Sequence, residues 1–297
     1  MNILLAFCAV LMFIIQTLAL KQMRSTNNNE GLSSFFKRSS AYTAIIAIGF
    51  FVSWLMSDLN GIHTATLVLG VFYGLVFVLT VLFYSCAMNT GPLSYSAFYF
   101  SASLLLPVVA SVVLWNEPMT GMKFMGIALF ILSFYFINVF GSKGQEAAGM
   151  KWLVYCLLAF ILNGTLPIIM KWQQTLLEGH ELIPFMCVGF GSAFLFSLIG
   201  ILFTGGFQRQ SKAIPTAREL RILTLYIVAI AGSTGTGNAI ITYLSGRMSG
   251  LHLFPLVNGS MIVLLTILSA VLFKEKMSRG GIIGIGIGLL AIVFVNM

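Results

Sequence analysis

The chain has 297 residues, 59% of them hydrophobic and 8% charged, with a formal net charge of +8. A soluble domain carries about 25% charged residues because it faces water on every side, so this composition argues for lipid as the main solvent. The positive charge sits in short loops, without a long basic run or RNA-binding signature, and this argues against nucleic acid as a partner.

The first apolar run begins at the third residue, lacks a basic leader and shows no clear cleavage site. It reads as a retained first span rather than a signal peptide. A span needs roughly 20 apolar residues, and ten are predicted: 2–20, 41–57, 65–88, 93–115, 120–140, 151–171, 182–204, 220–244, 250–273 and 279–296. The third and fourth are parted by Asn89-Thr90-Gly91-Pro92, a turn that proline enforces. The longest connections, Lys21 to Ser40 and Gly205 to Glu219, are too short to house a soluble domain. Cys8, Cys86, Cys156 and Cys187 all fall inside apolar runs, without CxxC spacing, and read as packing residues. The expected fold is an all-α integral membrane protein of ten transmembrane helices.

Basic residues set the expected orientation. Thirteen of the sixteen lie in one set of alternating loops, and Lys123, Lys171 and Arg247 lie in the other. The positive-inside rule puts the richer set in the cytoplasm and both termini outside. The short loops suit a multi-pass protein of the bacterial plasma (inner) membrane.

Sliding the chain by 158 residues aligns Pro107–Asn138 with Leu265–Asn296 without gaps. Ten of 32 positions match, and Glu117, Met119, Gly126 and Asn138 are among them, which shared greasiness does not explain. The simplest account is a duplicated five-span unit, residues 1–143 and 148–297. Five crossings are odd, so the copies are expected as inverted-topology repeats, an architecture typical of secondary transporters. Glu117 and Glu275 then mark the same hairpin on opposite faces. Each is expected near the N-terminus of the helix that follows it, where a carboxylate favours the helix dipole.

The stretches Gly91–Asn138 and Ser249–Asn296 resemble the third-to-fifth spans of the EamA-type drug/metabolite transporter superfamily. Asn163-Gly164-Thr165 followed by Lys171 is similar to that family's Trp-Gly-Ser…Lys signature, with Asn in place of Trp; the first span keeps only Lys21. The resemblance implies ten helices around a central cavity, with the fifth and tenth spans peripheral. It also implies transport of metabolites, as in exporters of amino acids, nucleotide-sugar carriers and drug-efflux proteins.

Polar side chains facing lipid are costly, so stripes of them on one helical face are candidates for a substrate site. Thr234, Asn238 and Thr242 recur every four residues in the eighth span, where Gly235 and Gly237 are expected to loosen the helix. Tyr95, Tyr99 and Ser103 form a second stripe, and Tyr73, Phe77, Thr80 and Tyr84 an aromatic face. Asn163, Asn258 and Gln16 are further amides needing partners. For the stripes the competing reading is helix packing and interhelical hydrogen bonding. Gly280, Gly284 and Gly288 lack the strand-turn-helix context of a nucleotide site, and read as close helix packing within the chain or against a second protomer.

No Asp or Glu falls inside a predicted span, Asp58 lying at the end of the second. A buried proton-titrated carboxylate is therefore not expected, and His252 reads as an interfacial histidine. An uncharged cavity favours a neutral, zwitterionic or amphipathic solute, carried with a coupling proton or a counter-substrate. The sequence calls for no cofactor and no metal. A membrane-embedded enzyme would need paired carboxylates, a metal cluster or an activated nucleophile, and three dispersed histidines supply none. The expected function is a secondary carrier, with export inferred from the resemblance. The alternatives are a non-transporting scaffold subunit and a nucleotide-sugar-type exchanger.

Overall fold

In hydrocarbon a backbone amide has no water to bond, so a spanning chain closes its hydrogen bonds within a helix. Every regular element among the described residues of the computed structural model is a helix. The description covers residues 2–25, 31–57, 61–91, 93–138, 149–205, 217–272 and 279–296. The helices are α1 (Asn2–Ser25), α2 (Leu32–Leu55), α3 (Thr64–Thr90), α4 (Leu93–Ala102), α5 (Leu105–Trp115), α6 (Gly121–Asn138), α7 (Met150–Leu176), α8 (Leu182–Phe203), α9 (Ala217–Ser245), α10 (Gly250–Leu272) and α11 (Arg279–Asn296). Six of them, α1, α2, α3, α7, α8 and α9, are long and apolar enough to cross a membrane. The side chains sort inside out. Ile48 (62% exposed) and Leu195 (57%) face outward from mid-helix, whereas Ser39, Thr43, Ser133, Ser197 and Thr242 are buried. That distribution suits lipid rather than water.

The helices depart from the predicted spans in three ways. First, α1 continues to Ser25 and α2 begins at Leu32, outside the apolar runs, because polar residues at helix ends can sit at headgroup depth. Second, the fourth span, expected as one helix over 93–115, is two, with the break at Ser103-Leu104. Pro107 accounts for it: the residue lacks the N–H that would bond the Ser103 carbonyl, and its ring crowds the preceding turn. The backbone tightens instead, with Leu104 N donating to Ser101 O at 3.3 Å and Leu106 N to Ser103 O at 3.0 Å. Third, α9 is unbroken where Gly235 and Gly237 were expected to loosen it. Those glycines make room for neighbours, since a Cβ at 237 would meet the Phe13 ring at 2.9 Å and one at 235 would meet Ile46 at 3.1 Å.

Helix pairing follows the small residues. α2 lies on α8, where Ser39 Oγ and Ser197 Oγ are 2.9 Å apart. α6 lies on α11: a Cβ on Gly126 would stand 2.6 Å from Val295, and Ser133 Oγ donates to Gly284 O at 2.6 Å. Gly288 abuts Val263 and Ser133, so the glycine run packs within this chain, while Gly286 has open space around it. α1 packs on α9 and α10, α7 on α3, α4 and α5, α3 on α8, and α2 on α9.

Gly74 sits where α3 crosses α8, and a Cβ there would meet Ser192 Oγ, Gly189 O and, at 2.7 Å, the backbone nitrogen of Ala193. Gly74→Ala is expected to destabilise the bundle by about 1–3 kcal/mol, read as a lower melting temperature in detergent. Gly286→Ala is expected to leave that temperature unchanged. Equal melting of the two variants would show that the helices do not approach this closely.

Candidate functional site

The break between α4 and α5 frees polar backbone close to the middle of the bundle, and α7 supplies the side chain that meets it. Asn163 Nδ2 donates to Phe100 O at 3.2 Å and to Ser103 Oγ at 2.6 Å, and Ser103 Oγ donates in turn to Phe100 O at 2.6 Å. Gly164 lets α7 come this near, since a Cβ there would stand 2.7 Å from Ser103 O. Pro167, inside α7, lacks the N–H that would bond the Asn163 carbonyl, so that oxygen loses its helical donor. Two prolines on facing helices thus disturb two ladders at about one level. Tyr84 stacks on Phe100 with centroids 4.1 Å apart, Tyr99 meets Trp152 edge-on at 6.1 Å, and Trp152 Nε1 donates to Ser96 Oγ at 2.9 Å. The predicted residues Tyr84, Tyr99, Ser103 and Asn163 are therefore gathered along one α4–α7 seam. The side chain of Tyr95 lies outside the described residues.

A second group forms between α3, α8 and α9. The Tyr73 hydroxyl donates to Asn238 Oδ1 at 3.0 Å, while Asn238 Nδ2 donates to Thr234 O at 2.8 Å and Thr242 Oγ1 to Asn238 O at 2.8 Å. Tyr73 is fully buried among Phe77, Phe185 and Phe190. Tyr73 and Phe77 thus serve as packed core, and Thr80 bonds its own helix at Val76 O. Thr234 Oγ1 is the exception: it is buried without a partner among the described residues. Asn258 donates to Phe254 O of its own helix, and Gln16 is half-buried on α1; the hydrogen bonds and ring contacts described join neither to these two groups.

At one end of the bundle a carboxylate does what the sequence did not suggest. Glu117 was expected to serve α6, but α6 has its own cap, Thr120 Oγ1 accepting from Lys123 N at 3.3 Å. Left-handed Asn116 (φ 50°) turns the chain at the end of α5, and Glu117 reaches the start of α10 instead. Its Oε1 accepts from Gly250 N at 3.0 Å and from Lys171 Nζ; its Oε2 accepts from Ser249 Oγ at 2.6 Å and Leu251 N at 3.0 Å. Lys171 is 4% exposed, with its ammonium 5.0 Å from the Trp115 ring centre. Burial pushes the Glu117 carboxyl upward, but the hydrogen bonds from Lys171, Ser249, Gly250 and Leu251 outweigh it and hold the group below the usual carboxylate range. Glu117 lies outside the predicted spans, in the turn between α5 and α6, with its side chain 13% exposed. The sequence signal was a Ser-Gly pair opening a helix with no acid of its own in the first turn. Nearby, both Glu181 oxygens accept from His63 N at 3.0 Å, tying the start of α3 to that of α8. Glu275 and Asp58 lie outside the described residues, as does the Lys21 side chain. His252 is half-buried in the first turn of α10.

No family model and no curated protein matches the chain. One solved crystal structure of a protein superposes with a TM-score of 0.74 at 18% identity, covering 99% of this chain and 95% of that one. At that identity the likeness is one of fold alone, and it extends over the whole bundle.

Removing one partner of a sheltered ion pair leaves the other charge uncompensated, at a cost of about 3–5 kcal/mol. Lys171→Met is expected to lower unfolding stability in detergent by that order, and adding Glu117→Gln should recover a large part of it. A double variant no better than the single would mean that the two groups are not coupled.

Proposed function

We propose that the protein is a ten-span secondary transporter, built from two inverted five-helix repeats, that moves a small neutral, zwitterionic or amphipathic metabolite such as an amino acid by alternating access. In this reading α4 and α5 together make the fourth crossing, and the repeat pairs α1 with α7, α2 with α8, α3 with α9, α4–α5 with α10 and α6 with α11 in chain order. The helix pairings support it. α1 on α9 has its counterpart in α7 on α3, and α1 on α10 has its counterpart in α7 on α4 and α5, while α2–α8 and α6–α11 are their own counterparts. Export, a plasma-membrane location with both termini outside, and membership of the EamA-type superfamily belong to the same proposal; they rest on the charge bias and the resemblance.

The single observation that carries transport is the interrupted fourth crossing. Discontinuous helices offer unpaired backbone groups to a solute at mid-membrane, where intact helices have none to spare. The Asn163 carbonyl, deprived of its helical donor by Pro167, and the Thr234 hydroxyl, unpartnered among the described residues, are groups for which a solute's donors and acceptors have a use. Neither is charged, which suits an uncharged or zwitterionic cargo.

The test is solute counterflow in proteoliposomes preloaded with amino acids, nucleosides, sugars or organic cations, with and without a pH gradient. Transient uphill accumulation of one labelled pool is expected, and Asn163→Ala should reduce its initial rate by about tenfold, as loss of roughly 1.4 kcal/mol of positioning does. Its melting temperature should stay within a few degrees. Undiminished flux in Asn163→Ala would remove the α4–α7 seam from the pathway, and preferred exchange of a sugar nucleotide would overturn the uncharged-cargo assignment.

A further inference from the structure

Glu117 joins pieces of chain that share no other carboxylate among the described hydrogen bonds: the α5–α6 hairpin that carries it, the end of α7 through Lys171, and the start of α10 through Ser249, Gly250 and Leu251. In the proposed topology these all lie on the outer face. All four partners are donors, two on each oxygen. A proton on either oxygen would set a fifth donor among these four, which the Ser249 hydroxyl could accept by turning its own proton away, and would cancel the attraction to Lys171. The site therefore holds a carboxylate well and a carboxylic acid poorly.

We infer that Glu117 is an acid-sensitive latch: ionised, it clamps the outer ends of α5, α7 and α10 together and keeps that face shut, and protonated by the outer solution it lets go. This rests on the alternating-access reading above. Charged and titratable groups face Glu117 from the neighbouring elements. Lys171 faces Glu117 from α7, and His252 on α10 lies within electrostatic reach of both Glu117 and Lys123 of α6. Arg247, in the turn before α10, is turned aside onto the Tyr243 ring, 3.7 Å from its centre, with Nη1 donating to Tyr243 O. On α5 the neighbour is the Trp115 ring, which does not titrate.

The direction follows from linkage. The shut form holds the Glu117 carboxyl below its ordinary value of 4.5, and an opened, hydrated Glu117 returns towards that value. Shutting is thus fully favoured above the ordinary value and loses its advantage as pH falls through it towards the shut form's own. The proton enters from the outer solution on opening and returns there on closing. Glu117 therefore gates the pathway without carrying a proton across.

The test places spin labels at Met119→Cys on the hairpin and Arg247→Cys on the α9–α10 turn, in a full chain whose four native cysteines are replaced, reconstituted in lipid nanodiscs. Pulsed distance measurements should give one short population at pH 7.5 and a second, longer one at pH 3, reversibly. Glu117→Gln should show the longer population at both pH values. Ser249→Ala, a milder change that carries the test should Glu117→Gln not assemble, should move the midpoint to higher pH. Distances that ignore pH in the otherwise wild-type chain, or that still respond to it in Glu117→Gln, would overturn the latch. Counterflow on the same protein separates the two inferences. Labels that move while no solute exchanges retain the latch and remove the transporter; exchange with labels that never move does the reverse.

Discussion

A buried polar group in a membrane finds its partner inside the chain or goes without, and most of this structure can be read as the consequence. Hydroxyls are largely spent on their own helices: Thr43 Oγ1 bonds Ser39 O, Thr165 bonds Ile161 O, Ser233 bonds Ala229 O and Thr242 bonds Asn238 O, each one turn back. Such bonds keep a polar residue in a helix without building anything between helices. The informative groups are those that look elsewhere. Asn163 reaches a neighbouring backbone, Tyr73 reaches Asn238, and Thr234 Oγ1 reaches nothing described.

Seen this way, the α4–α5 break and the Glu117 cluster are two solutions to one problem. At the break, proline removes donors and the carbonyls left over are shared between Asn163 and a tightened turn. At the bundle end, the first amides of α10 have no helical acceptor, and a carboxylate from another hairpin supplies one. The first faces Pro167, whose missing N–H deprives the Asn163 carbonyl of its helical donor, and that suits binding. The second spends its polar capacity fully, which suits closure. The carrier proposed above would need both in one molecule.

The sequence made the helices legible because the period of the apolar runs and their length are set by lipid, whatever the tertiary partners. Helix ends were less legible, as α2 shows by starting at Leu32 among polar residues. The break was hidden because 93–115 reads as one apolar run and a proline in such a run often only bends it; the tightened turn at Ser103 depends on α7 lying close enough to use the freed groups. Asn163 and Ser103 were both visible as polar residues, but nothing in their spacing said that they meet. Tyr73 and Phe77 made a true stripe, and yet the stripe faces Phe185 and Phe190, because periodicity identifies a face and not what lies opposite. Glu117 was assigned to the nearest helix in sequence. Its partner starts 133 residues away at Gly250, and adjacency in the chain carried no information about that.

The packing of α2 on α8 has a historical consequence under the duplicated reading. Helices that correspond in two copies and also pack together lie at the axis relating them. In a half-length ancestor that helix would have met its own twin from a second molecule, lying the other way up in the bilayer. That arrangement requires one polypeptide to insert in both orientations, which a strong imbalance of lysine and arginine forbids. The present imbalance of thirteen basic residues against three would then have arisen after fusion, once each half was free to commit to a single orientation.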